Sequence, residues 1–198
     1  MVQTHIANPN LFVIAGGPGA GKTTLLRELE RRGFRCVPEI AREIIREQVA
    51  ANGDALPWAD TLRYTQLMLA RSVVCYQQHT PASRLTFIDR GIPDVLCYAQ
   101  IINLETVAEI QSACETYRYN SKVFIAPPWK EIYSTDAERK ETFADAVKVY
   151  ERMVEVYRQC GYDLVELPRV NPAQRADFLL AGLETLASAS VLDKESRG

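Results

Sequence analysis

Two kinds of apolar run alternate along this chain. Short, mainly apolar stretches stand at Leu11–Ala15, Phe34–Val37, Leu85–Ile88, Lys122–Ala126 and Tyr162–Leu167. Between them lie longer stretches whose apolar residues recur at intervals of three and four, the spacing of a helix with one buried face. Ile40, Ile44 and Ile45 mark one such face. Leu62, Leu67, Leu69, Val73 and Val74 belong to another. The pattern predicts helices over about 22–32, 39–48, 58–79, 93–102 and 104–117, a long one ending near Cys160, and a last one from Asn171 or Pro172 to about 187. Gly33 and Gly161 end helices, while Pro38 and Pro127-Pro128 end strands because proline lacks the ladder donor.

Short strands alternating with longer helices predict an α/β fold: a parallel sheet of five strands covered by helices on both faces, three layers in all. Ligands in that architecture gather beyond the carboxyl ends of the strands. The residues following each strand are therefore the ones to read for chemistry.

The first strand runs into Gly16-Gly17-Pro18-Gly19-Ala20-Gly21-Lys22-Thr23-Thr24, which fits G-x-x-x-x-G-K-T over 16–23. Glycines let the backbone wrap closely round a polyphosphate and turn N–H groups inward. Gly17, Pro18, Gly19, Ala20 and Gly21 form the cradle, and the following helix aims its positive end at the same phosphates. Lys22 is placed for the β- and γ-phosphates and Thr23 for Mg²⁺. Thr24 either touches the α-phosphate or caps the first turn. The motif establishes nucleoside triphosphate binding without choosing between kinase, ATPase and GTPase.

Asp89-Arg90 follows the third strand. A carboxylate there holds Mg²⁺ opposite Thr23, directly or through water. Arg90 is a candidate for the acceptor or for the transferring phosphoryl group, and Asp94, five residues after Asp89, for the same cleft. Glu39 and Arg42 follow the second strand and share a helix face. Glu39 is suited to take a proton from an acceptor hydroxyl or to hold it in line, and Arg42 to grip an anionic substrate. Trp58 and Tyr98 are further candidates to shape the pocket. After the fourth strand, residues of about 128–142 are expected to form a small lid, with Arg139 bringing positive charge to the transition state and Lys130 and Lys140 as lesser candidates. Arg169, after the fifth strand, is placed to stack on a purine base. Arg46 and Arg175 read as structural.

Composition narrows the class. At 198 residues, one domain with a small lid is expected. An apolar content of 47% supports a core that needs no disulfide or metal staple. A net charge of −2 gives no support for nucleic-acid binding by general electrostatics. The five cysteines are scattered with no C-x-x-C pair, as expected of buried thiols in a reducing compartment. The first ten residues lack a secretory pattern, and no stretch is long or apolar enough for a membrane. A cytoplasmic protein with a small-molecule partner is expected.

Taken together, Gly16 to Thr24, Val37-Pro38-Glu39-Ile40-Ala41-Arg42, Phe87 to Asp94, Phe124 to Trp129, Asp136 to Arg139 and the last strand with Pro168 resemble one family. It is the P-loop AAA-type ATPase/kinase-like domain family that includes the ribosylnicotinamide kinase domain of the bifunctional NAD-biosynthesis regulator. The resemblance runs over about 10–182. It implies a nucleoside- or nucleotide-kinase-like fold with strand order 2-3-1-4-5 and the use of ATP with Mg²⁺. It also implies Lys22 and Thr23 on the phosphates, Asp89 near the metal, and Glu39 with Arg42 toward the acceptor. The H-x-G-H signature of a nucleotidyltransferase is absent, as is the arginine-bearing helical domain of ring-forming AAA machines. The expected activity is phosphoryl transfer from ATP-Mg to a small nucleoside- or nucleotide-like acceptor. The alternative is an ATP hydrolase or nucleotide-gated regulatory protein.

Overall fold

The computed structural model describes residues 6–105, 107–133 and 142–195. Its elements in chain order are β1 (Ile6–Ala7), β2 (Leu11–Gly16), α1 (Lys22–Arg31), β3 (Arg35–Val37), α2 (Ile40–Ala50), α3 (Thr61–Gln78), β4 (Thr86–Asp89) and α4 (Ile92–Ile101). Then follow α5 (Ala108–Thr116), β5 (Tyr117–Arg118), β6 (Lys122–Ala126), a 3₁₀ turn (Lys130–Ile132), α6 (Phe143–Gln159), β7 (Asp163–Glu166) and α7 (Pro172–Glu195).

The main sheet has five strands in the order β3-β4-β2-β6-β7, all parallel. Counted along the chain, that is 2-3-1-4-5. Every residue of the central strand β2 is buried. Its alternate side chains feed two cores, as the two-residue period of a strand demands. Leu11, Val13 and Ala15 pack with Ile44 of α2, Tyr64 of α3, Val95 of α4, Ile110 of α5 and Met153 of α6. Phe12 and Ile14 face the other way, onto Leu25 and Leu29 of α1 and Leu179 of α7.

Register places the chemistry. Ile14 pairs with Asp89, so the end of β4 lies beside the glycine-rich turn. Val37 pairs with Ile88, so Glu39 emerges next to Arg90.

Some boundaries differ from expectation. Helix α3 starts at Thr61, not Trp58, because the Asp60 side chain accepts from the Arg63 N–H and caps it there. Helix α5 starts at Ala108, not Leu104, and α7 runs on past 187. The short parallel pair β1–β5 was not foreseen from the apolar pattern, since two-residue strands carry no periodicity.

Candidate active site

The glycine-rich turn is built by main chain. Gly16, Gly19 and Gly21 all have positive φ. At Gly16 a Cβ would lie 2.6 Å from the Ala126 carbonyl oxygen, and at Gly19 it would lie 2.6 Å from the Tyr133 ring. Both positions therefore require glycine for conformation and for room. Helix α1 starts directly after this turn, and the Thr24 hydroxyl donates back to the Gly21 carbonyl at 2.8 Å. Thr23 is exposed at the same helix start.

Lys22 is buried, 4% exposed. Its Nζ donates to the Gly16 and Gly17 carbonyls at 2.9 and 3.1 Å and stands 4.0 Å from Asp89 Oδ1. Burial pushes the Lys22 ammonium below its usual range, as does Arg90, against the pull of Asp89, Glu39 and Asp94. Burial likewise lifts the Asp89 carboxyl to about 6, with Lys22 opposing and Glu39 reinforcing the shift. Asp89 Oδ1 is buried without a hydrogen-bond partner. Such a carboxylate oxygen is expensive to leave unmatched. A hard oxygen donor of this kind, together with the Thr23 hydroxyl, fits Mg²⁺.

A buried arginine backs the turn. Arg175 of α7 donates through Nη1 to the Ala20 carbonyl at 2.7 Å and through Nε to the Pro168 carbonyl at 2.8 Å. Its guanidinium lies over Trp129, 4.9 Å from the ring centroid. Nearby, Arg169 is exposed and donates through Nε to the Pro128 carbonyl at 3.0 Å, tying together the loops after β6 and β7. The sequence reading gave Arg175 no part in the site. One signal was available: it stands one turn before Leu179, on the apolar face of its helix.

Beside the turn opens a cleft of about 690 Å³. Pro18 of the turn lines it, as do Gln100 and Ile101 from the last turn of α4 and Asn103 just beyond. Helix α4 forms the floor and spans about 15 Å at 1.5 Å per residue. Side chains of α2, α3 and α6 form the walls. At the end nearest Lys22, the expected residues come together. Arg90 donates through Nε to Glu39 Oε1 at 2.9 Å and through Nη1 to Asp94 Oδ1 at 3.1 Å. Arg42 Nε stands 3.4 Å from Glu39 Oε2. Burial pushes the Glu39 carboxyl up, but Arg90, Lys22 and Arg42 outweigh it and hold the group below its usual range. Arg90 is shifted further toward the cation by Glu39, Asp94 and Asp89, against its burial. Its φ is +72°, a left-handed conformation that costs a non-glycine residue about 1–2 kcal/mol.

Farther along, the cleft wall is apolar and aromatic. Tyr64 and Tyr98 meet edge to face, 5.6 Å apart at 82°. Met68, Val95, Val149 and Met153 line the same stretch. Lys148 and Arg152 stand on its α6 rim. Trp58 does not line the cleft; its neighbour Pro57 does, and the indole is 61% exposed. Lys130 is exposed in the 3₁₀ turn. Arg139 and Lys140 lie outside the described residues.

Among the described residues, no helix is long and apolar enough to cross a membrane. No curated protein matches this chain in sequence. Solved structures with the same fold include NadR in complex with NR, at 19% identity and a TM-score of 0.66, covering 87% of this chain and 50% of that one. The chain thus spans half of that NadR chain. Thymidylate kinase from Candida albicans matches at 16% identity and a TM-score of 0.66, over 89% of this chain and 92% of that one. Deoxyadenosine kinase from M. mycoides matches at 14% identity and a TM-score of 0.64, over 88% and 99%. The fold is therefore that of nucleoside and nucleotide kinases. The AAA_28 family, described as an AAA domain, matches residues 11–175, and the chain belongs to that family.

Proposed function

We propose that this protein transfers the γ-phosphoryl group of ATP to a small acceptor of nucleoside or nucleotide type held in the cleft over α4. One observation carries the reading. A half-buried Glu39–Arg90 pair stands where the phosphate-binding turn meets a cleft of about 690 Å³. That volume lies within the range of small-molecule sites, and the Tyr64–Tyr98 wall offers a planar group a matching face.

Roles follow from the geometry. The amides of 17–21 bind the phosphates, and Lys22 exchanges its two carbonyl partners for phosphate oxygens. Asp89 and Thr23 would hold Mg²⁺, which when bound neutralises charge on the phosphates. Glu39 is held ionised by three cations, which makes it a weak base and a good acceptor of a hydrogen bond. Its part is to orient the acceptor hydroxyl, which suffices for a loose phosphoryl-transfer transition state. Arg90 Nη2 has no partner among the described residues, and Arg90 lines the cleft, so that edge of the guanidinium is available to the transferring group. Arg42 serves an anionic part of the acceptor, and Arg169 the base of the nucleotide. Residues of about 128–142, with Arg139, serve as the cover.

The test is a screen of nucleosides, ribosylnicotinamide, nucleoside monophosphates and sugars with ATP and Mg²⁺, read by mass spectrometry of the products. A phosphorylated nucleoside or nucleotide is the expected result. ATP consumption that no acceptor accelerates would overturn the reading in favour of a hydrolase.

A further inference from the structure

Tyr157 of α6 is fully buried and does not line the cleft. Its ring packs edge to face on Tyr162, 5.7 Å away. Phenylalanine would fill that space equally well, so the hydroxyl needs its own account. It donates to Asp94 Oδ2. The same oxygen accepts from the Gly91 N–H at 2.8 Å, while Oδ1 accepts from Arg90 Nη1 at 3.1 Å.

Capping explains only part of this arrangement. Asp94 is the third residue of α4, and its carboxylate accepts from the N–H of the N-cap residue Gly91, the one half of a capping box that a glycine N-cap allows. A carboxylate is two-fold and its last torsion is soft. With the cap bond alone, either oxygen can serve, and the group can swivel away from Arg90. A second donor on Oδ2 removes that freedom and fixes Oδ1 toward the guanidinium. Arg90 in turn needs fixing. It has a long side chain with about 2 kcal/mol of rotamer entropy. Its backbone is also left-handed. Burial holds the Tyr157 phenol well above its usual range, so it remains a donor.

We propose that Tyr157 is a positioning residue for the active site: its hydroxyl locks the Asp94 carboxylate, and Asp94 sets the plane of the Arg90 guanidinium that faces the acceptor. The inference rests on the reading of Arg90 as an acceptor-side cation. Helix α6 thereby serves the site at both ends. Near its start, a Cβ on Gly17 would lie 3.1 Å from the Ala146 carbonyl, so the helix abuts the phosphate-binding turn. Near its end, Tyr157 reaches the acceptor-side network.

The experiment is solvent exchange of the Arg90 Nε–H, measured by nitrogen-15 NMR on the full chain without nucleotide or acceptor, with the signal assigned by its loss in Arg90→Lys. In the parent protein slow exchange is expected, because the Nε–H is bonded to Glu39. That bond opens more often once Nη1 loses its fixed partner Asp94, so Tyr157→Phe is expected to speed the exchange about five- to tenfold, the worth of one ordinary hydrogen bond. Tyr162→Phe removes a neighbouring hydroxyl that accepts from the Tyr119 N–H and makes no hydrogen bond to Asp94 or Arg90; it is expected to leave the signal unchanged. Unchanged exchange in Tyr157→Phe, or equal acceleration in Tyr162→Phe, overturns the proposal. If Tyr157→Phe fails to fold, Asp94→Asn tests the same link, and slow exchange there overturns it equally. On an acceptor from the screen, kcat is expected to fall about tenfold in Tyr157→Phe with KM for ATP within about twofold; an unchanged kcat is also contrary. Failure of the screen would overturn the kinase reading and leave the exchange result standing, because neither substrate is present in it.

Discussion

The two halves of the site are made of different material. The nucleotide half is main chain: amides of 17–21, a helix start, and carbonyls that hold Lys22 until a phosphate arrives. The half proposed for the acceptor is side chain: Arg90 joins Glu39 and Asp94 through hydrogen bonds, with Arg42 beside Glu39. Main chain recognises what all nucleoside triphosphates share. Side chains can be exchanged one at a time, so one scaffold serves many acceptors. The neighbours of this fold illustrate the point, with a thymidylate kinase and a deoxyadenosine kinase among them.

Substitutions can break or sharpen this contrast. The largest effect is expected from Glu39→Gln. Acceptor-dependent transfer should fall by about a thousandfold, while calorimetry with a non-hydrolysable ATP analogue finds affinity within about twofold. Transfer at the normal rate would show that the two halves are not divided as described. Lys22→Ala should do the converse, lowering affinity for the same analogue about a hundredfold, with the slow Arg90 Nε–H signal retained. Arg42→Ala should raise KM for an anionic acceptor about tenfold and leave acceptor-free ATP turnover alone.

The smallest expected effect is a pH dependence at the seam between the halves. The Asp89 carboxyl is held up at about 6 in the folded protein, above its ordinary 3.8. The folded state therefore binds this proton more tightly than the unfolded chain, and its contribution is full below about 4 and lost as pH rises through 6. Without nucleotide or metal, the melting temperature of the parent should fall by a few degrees relative to Asp89→Asn between pH 4 and 7. A constant difference across that range would mean that Asp89 is not buried as an unmatched acid.

The same contrast explains what the sequence made legible. A cradle of amides must come from consecutive residues, and its glycines are forced by φ and by contacts such as that of Gly19 with Tyr133, so the turn could be read directly. The strand order came with the family resemblance, whereas the positions of Glu39, Asp89 and Arg90 could be read because residues that follow the strands of a parallel sheet gather at one edge. Tyr157 could not. It stands 63 positions from Asp94 and lies one turn from Met153 on the buried face of α6, where an aromatic reads as core. Arg175 left only one trace, a charge on the apolar face of its helix, since its partners are carbonyl oxygens, which side-chain patterns do not reveal. The boundary of α3 depended on a single cap bond at Asp60, below the resolution of periodicity.

The chain has two tryptophans, and only one of them touches the site. Trp129 lies beneath the Arg175 guanidinium, which also grips the glycine-rich turn, whereas Trp58 sits in solvent, off the cleft. Intrinsic emission can therefore be read at the turn without attaching a dye. With Trp58→Phe the remaining indole is expected to change its light when a triphosphate arrives, and Trp129→Phe supplies the solvent-exposed lamp that should not.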